Sequence, residues 1–182
     1  MSHWETLKLI ATLLDYPSEN TLSMLKDNTI NYYITSEIRE FLDGVKDVDL
    51  YGLQELYVNT FELTNDVGLY MAHAVYRDEN KRSKLMLKLL TLYERYGLER
   101  DKRELPDYIP TVLVFLSTYH EIIPKTTLRE LLSLLHRASV IIKSRISTNN
   151  PYMHIINALV ELTGSLVEQL NYTNHNDIAA QK

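Results

Sequence analysis

Apolar residues return every three or four positions along almost the whole of this 182-residue chain, and nowhere do they alternate cleanly over four or more residues. That spacing is the period of a helix and not of a strand. Five glycines and five prolines are too few turn formers for an all-β fold and leave room for long uninterrupted helices. The expected architecture is all-α, a single helical domain of about eight or nine helices around one core. No repeat of a fixed period is visible, so a solenoid is not expected.

Local signals place the helices. Trp4, Leu7, Ala11 and Leu14 share a face that stops before Pro17, and Ser18 follows as a cap. Ile38, Phe41 and Leu42 point inward on a helix from Ser36, with Gly44 expected as its left-handed stop. Asp49 caps a helix carrying Leu53, Leu56, Tyr57, Thr60 and Phe61. A helix is expected around residues 69–76, a polar break over 77–82, and a new helix from Ser83 that ends at Gly97. Another runs on from Pro110. Thr127 and Glu130 have the spacing of a capping box, and Asn150-Pro151 opens the last helix. Residues 1–172 are taken as the helical domain and 173–182 as a polar, frayed tail.

Chemistry is scarce. The absence of cysteine removes disulfides, thiol catalysis and thiolate metal sites. Glycine spacing excludes a P-loop and a dinucleotide fingerprint, and no HExxH or GxSxG occurs. His3, His73, His120, His136, His154 and His175 are scattered without ligand spacing, although His120 and His136 flank one connection and could meet near Glu121. No metal site, cofactor or catalytic residue is expected. The net charge of −5 has the wrong sign for a general nucleic-acid binder. Residues 77–103 carry nine Lys/Arg against five Asp/Glu, which reads either as a basic face or as a solvated helix surface. No basic and apolar leader follows Met1 and no long apolar run interrupts the chain, so the expected location is the cytoplasm.

One segment stands apart. In Glu104-Leu105-Pro106-Asp107-Tyr108-Ile109-Pro110, two prolines stiffen a chain that sets two carboxylates beside an aromatic ring. It reads as a linker in which Asp107 caps the next helix, or as an acidic–aromatic lip that holds a basic or amphipathic peptide. The thirteen tyrosines against three phenylalanines suit half-buried groove walls.

The same segment, followed by an apolar helix, closely resembles the ELPD(H/Y)xP signature of the nitrate reductase molybdenum cofactor assembly chaperones. This is the NarJ or delta-subunit family within the redox-enzyme maturation chaperones. Leu13-Leu14-Asp15-Tyr16-Pro17 resembles the family's LLxYP element, Tyr57-Val58-Asn59-Thr60-Phe61-Glu62 its YxxxFD/E element, and Leu69-Tyr70 the apolar stretch after it. Residues 89–98 resemble its LLxxYxxxGL segment, and Asn150-Pro151-Tyr152 the end of its core. The family's glycine-flanked arginine turn is matched only by Asp78 and Arg82.

The resemblance implies a cytoplasmic chaperone with no chemistry of its own. It would bind the N-terminal segment of the apo catalytic (alpha) subunit of nitrate reductase, keep it competent for molybdenum cofactor and Fe–S insertion, and delay membrane docking. The client-binding residues it suggests are Tyr70, Glu104, Leu105, Pro106, Asp107, Tyr108 and Pro110, with Phe61 and Arg82 as further candidates. The other readings are a chaperone for a different molybdoenzyme with a twin-arginine signal, an all-α nucleic-acid-binding regulator, and a hydrolase with an unmarked site. Monomer and dimer are both open.

Overall fold

In the computed structural model, which describes residues 2–27, 35–63 and 67–179, with side chains described as far as 172, the helical period is realised throughout. The elements are α1 (His3–Leu14), α2 (Glu19–Lys26), α3 (Ser36–Val45), α4 (Leu50–Phe61), α5 (Met71–Val75), α6 (Glu79–Tyr96), α7 (Ile109–Tyr119), α8 (Lys125–Lys143) and α9 (Tyr152–Ala179). Among the described residues there are nine helices and no strand, with one isolated antiparallel bridge between Tyr70 and Tyr108. The frayed tail expected over 173–182 lies outside the described residues, apart from the helical backbone that reaches Ala179.

Helix α9 is the spine. It packs against α8, α3 and α1, while α7 packs against α1 and α5 contacts both α6 and α8. The core joins Leu7, Ile10 and Leu14 to Leu113 and Leu116, and Leu132 and Leu135 to Ile155 and Leu159, all fully buried. These are the inward faces that the sequence period marks.

Helix starts follow their capping chemistry. The Ser2 and Ser18 side chains accept from the Glu5 and Thr21 amides, and Asp49 accepts from Gly52. Gly97 alone among the glycines has a positive φ, 73°, and closes α6 as expected. Gly44 does not act as a left-handed stop. It lies within α3 beside the entrance of α9, where an added Cβ would make ordinary contact with Pro151 at 3.4 Å.

Two other starts differ from the sequence reading. Asp78 accepts from the Lys81 amide, so the break expected over 77–82 is confined to 76–78 and the rest of the polar run is the first turn of α6. Helix α8 begins at Lys125, because the Pro124 carbonyl already accepts from the Leu128 amide. Thr127 is therefore inside the first turn and forms no capping box, while Glu130 reaches across to Lys88.

Candidate functional site

The segment over 104–110 is held from both sides by its own backbone. Asp101 accepts from the Arg103 amide at 2.9 Å and pairs with its guanidinium at 2.7 Å, closing a tight turn before the lip. Those hydrogen bonds pull the Asp101 carboxyl down to about 2. Arg100 Nη1 donates to the Glu104 carbonyl at 2.7 Å and to the Asp101 carbonyl at 3.0 Å. Pro106 has no amide to satisfy, and its buried carbonyl accepts from the Tyr93 hydroxyl at 2.8 Å.

Next, the chain pairs with the residues before α5. The Met71 amide donates to the Asp107 carbonyl at 2.9 Å, and the Ile109 amide to the Leu69 carbonyl at 2.8 Å. This pairing takes Leu69 and Tyr70 out of the helix expected over 69–76 and shortens it to α5. It also reassigns Asp107. The expected cap on α7 is absent, since Tyr108 occupies that position without a side-chain bond and Pro110 sits in the first turn. Asp107 instead caps α5 from across the chain, Oδ2 accepting from the Ala72 amide at 2.8 Å. Its side chain is fully buried and Oδ1 has no hydrogen-bond partner. Burial raises its pKa, opposed by the backbone amides around it.

Above this support lies a groove of about 880 Å³. Its apolar lining comes from Ala11, Met24, Phe61, Leu69 and Val114, with the rings of Tyr16, Tyr57, Tyr70 and Tyr108. The Tyr70 and Tyr108 rings pack at a 44° tilt with centroids 5.7 Å apart, and Tyr57 lies edge-on to Tyr16. Beneath the surface the Tyr108 hydroxyl meets that of Tyr57 at 2.8 Å and lies 3.1 Å from Asp15 Oδ1, tying the lip to α4 and to the end of α1. Burial raises the phenols of Tyr57, Tyr93 and Tyr108 above their ordinary value. At the rim the Tyr70 hydroxyl donates to Glu104 Oε2 at 2.7 Å.

The groove is acidic. Asp15, Glu62, Glu99, Asp101 and Glu104 line it against Arg100 and Arg103, and Arg103 is already spent on Asp101. Apolar side chains stand exposed at its edge. Tyr16 is 47% exposed, and Leu63 and Leu105, next in the chain to the lining residues Glu62 and Glu104, are 70% and 48% exposed. An acidic trough with solvated apolar edges suits a cationic amphipathic segment.

Among the described residues no group of three His, Cys, Asp or Glu is placed to hold an ion. His120 and His136 do not form a pair. His120 stacks on Trp4 at 4.1 Å, and His136 Nδ1 bonds Thr163 Oγ1 at 3.1 Å. Among the described residues no helix is long and apolar enough to cross a membrane.

Comparison with known proteins agrees with the motif order. Residues 31–139, more than half of the chain, match the family described as nitrate reductase delta subunit. The chain belongs to that family. NarW of Escherichia coli (strain K12), described as a nitrate reductase molybdenum cofactor assembly chaperone, is 26% identical over 181 residues, covering 95% of this chain and 77% of NarW. NarJ of Bacillus subtilis (strain 168), described in the same words, is 24% identical, with 87% of this chain and 90% of that protein covered. The crystal structure of a redox enzyme maturation protein from Archaeoglobus fulgidus has the same fold, with a TM-score of 0.64 at 23% identity over 88% of this chain and 93% of that one.

The delta-subunit motifs, far apart in sequence, converge here. Of the residues singled out from sequence, Tyr70, Glu104, Tyr108, Pro110 and Phe61 line the groove, and Leu105 projects beside it. Pro106 and Asp107 are buried beneath it. Arg82 lies elsewhere, with Nη1 3.3 Å from His73 Nδ1 and Nη2 3.5 Å from Glu79. Sequence reasoning missed Asp15, Tyr16, Glu62 and Arg100 as groove residues. Three of the four stand inside the motifs at 13–17 and 57–62, so the signal was present, but spacing alone does not say that those motifs share a wall.

Proposed function

We propose that this protein is an assembly chaperone for nitrate reductase, and that its groove binds the N-terminal segment of the enzyme's apo catalytic subunit in the cytoplasm. Holding that segment keeps the subunit competent for molybdenum cofactor and Fe–S insertion and delays its docking at the membrane. The chaperone performs no chemistry itself. The observation that carries this reading is the 880 Å³ groove, acidic and aromatic in its lining, with Tyr16 exposed in it and exposed Leu63 and Leu105 next in the chain to lining residues. Family membership supports the client, because relatives across most of the chain are described as nitrate reductase assembly chaperones.

In this reading apolar anchors of the client fill the aromatic trough and supply affinity, while its cations face Glu104, Glu62 and Asp15 and supply steering. A volume of this size takes a few side chains from one face of a helix rather than a whole helix. Release is part of the task, so affinity near micromolar, about −8 kcal/mol, is expected.

Calorimetric titration with a peptide copying the catalytic subunit's N-terminus tests the proposal. Glu104→Gln and Tyr70→Ala are each expected to weaken binding by about 1–2 kcal/mol. Affinity unchanged in both variants would remove the groove as the client site. A parallel titration with the twin-arginine signal of another molybdoenzyme decides the client, since tighter binding there would reassign the chaperone to that enzyme.

A further inference from the structure

We infer that Asp107 is a positioning residue of the groove, one that holds the Tyr70–Glu104 wall in place for the client without touching the client itself. This rests on the groove being the client site. Three observations converge on it. The carboxylate is fully buried and is not among the groove-lining side chains, so a bound peptide has no path to it. Two of its hydrogen bonds run to the segment that carries Tyr70: Oδ2 accepts from the Ala72 amide, and its carbonyl accepts from the Met71 amide. Tyr70, the residue before α5, makes no capping bond of its own, so the first turn of α5 is capped by Asp107 alone among the described side-chain bonds.

The consequence follows from the geometry. The bridge between Tyr70 and Tyr108 sets the two residues opposite each other, and their rings pack with centroids 5.7 Å apart. The Tyr70 hydroxyl then sets the rotamer of Glu104 through the 2.7 Å bond at the rim. Loosening the start of α5 frees Tyr70 to turn, and Glu104 loses its donor. Asp107 thus acts on the client through two intermediaries, and its negative charge plays no part in recognition.

The test is calorimetric titration with the same cationic peptide at low and high salt, on wild type, Asp107→Asn, Asp107→Ala and Glu104→Gln. The asparagine keeps an oxygen for the Ala72 amide, so its affinity is expected within about threefold of wild type, with the same salt dependence. Asp107→Ala is expected to lose roughly tenfold, again with unchanged salt dependence. Glu104→Gln should lose affinity and flatten the salt dependence, as removal of a contacting charge does. A flattened salt dependence in Asp107→Asn would mean that the carboxylate meets the client, and would overturn the inference.

Amide hydrogen exchange at Met71 and Ala72 supplies a readout that needs no client. Protection there should survive in Asp107→Asn and fall in Asp107→Ala, while the α8 and α9 amides stay protected. Lost protection with full affinity would also overturn the positioning role. If Asp107→Ala does not fold, the asparagine arm and its exchange still decide. Should Glu104→Gln and Tyr70→Ala both bind as wild type, the groove reading fails instead, whatever the exchange at Ala72 shows.

Discussion

Asp107 keeps one carboxylate oxygen on the Ala72 amide and leaves the other without a partner in the interior. Burial raises its pKa in the folded chain, whereas the unfolded chain releases the proton at about pH 4. At pH values between the two, the folded state holds a proton that the unfolded state has lost. The protonated carboxyl stabilises the fold fully below the unfolded pKa, and that contribution disappears as pH rises through the folded one. Wild type is expected to gain stability relative to Asp107→Asn as pH falls from about 7 toward about 4, read by urea unfolding at each pH. A difference that stays constant, or that favours the variant at low pH, would contradict it. Tyr93 offers a simpler case. Its hydroxyl is the donor to the buried Pro106 carbonyl, so Tyr93→Phe should cost about 1–3 kcal/mol through an acceptor left unpaired. At this scale the sequence singled out a segment that lines the groove and assigned Asp107 to the wrong helix as a cap. An aspartate before Tyr-x-Pro looks like a local cap, and only the pairing of 107–109 with 69–71 sends its carboxylate to a helix 35 residues away.

Helix phases were legible wherever one face is apolar over several turns. Leu132 and Leu159 are both fully buried, as their stripes require, and truncating either to alanine should cost about 2–5 kcal/mol in denaturant unfolding. Arg129 is different. From its place between leucines it reads as an exposed polar position worth under about 0.5 kcal/mol. In the fold it is half-buried, and Nη2 donates to the Leu170 carbonyl of α9 at 3.0 Å. Arg129→Ala should accordingly cost about 1 kcal/mol, from the lost charged bond and the packing of its stem. Equal and small effects at all three positions would mean that α8 and α9 do not pack in this register. Helix ends were read less well than faces. Thr127 with Glu130 has the spacing of a capping box, but the Pro124 carbonyl starts α8 earlier and Glu130 finds Lys88 on α6. A cap is a contest between nearby acceptors, and spacing names the contestants without naming the winner.

For the molecule as a whole, charge is the long-range term. The chain carries a net −5, and its groove gathers carboxylates against few free cations. A cationic client segment should then associate more slowly as salt rises, in stopped-flow measurements, while dissociation, governed by the apolar trough, changes much less. A salt-independent association rate would remove steering from the account. The sequence by itself determined the all-helical class, the buried faces and the family, because periodicity, the scarcity of glycine and proline, and ordered motifs are properties of the chain read in line. Only the tertiary structure decided that the motifs at 13–17, 57–62, 69–70 and 104–110 enclose one groove, and that Asp107 supports its wall while Tyr70, Tyr108, Glu104, Glu62 and Tyr16 line the space. The reason is physical. A helical period says which side of each element avoids water, but the neighbour across that side is chosen by long-range packing and by hydrogen bonds between segments distant in sequence.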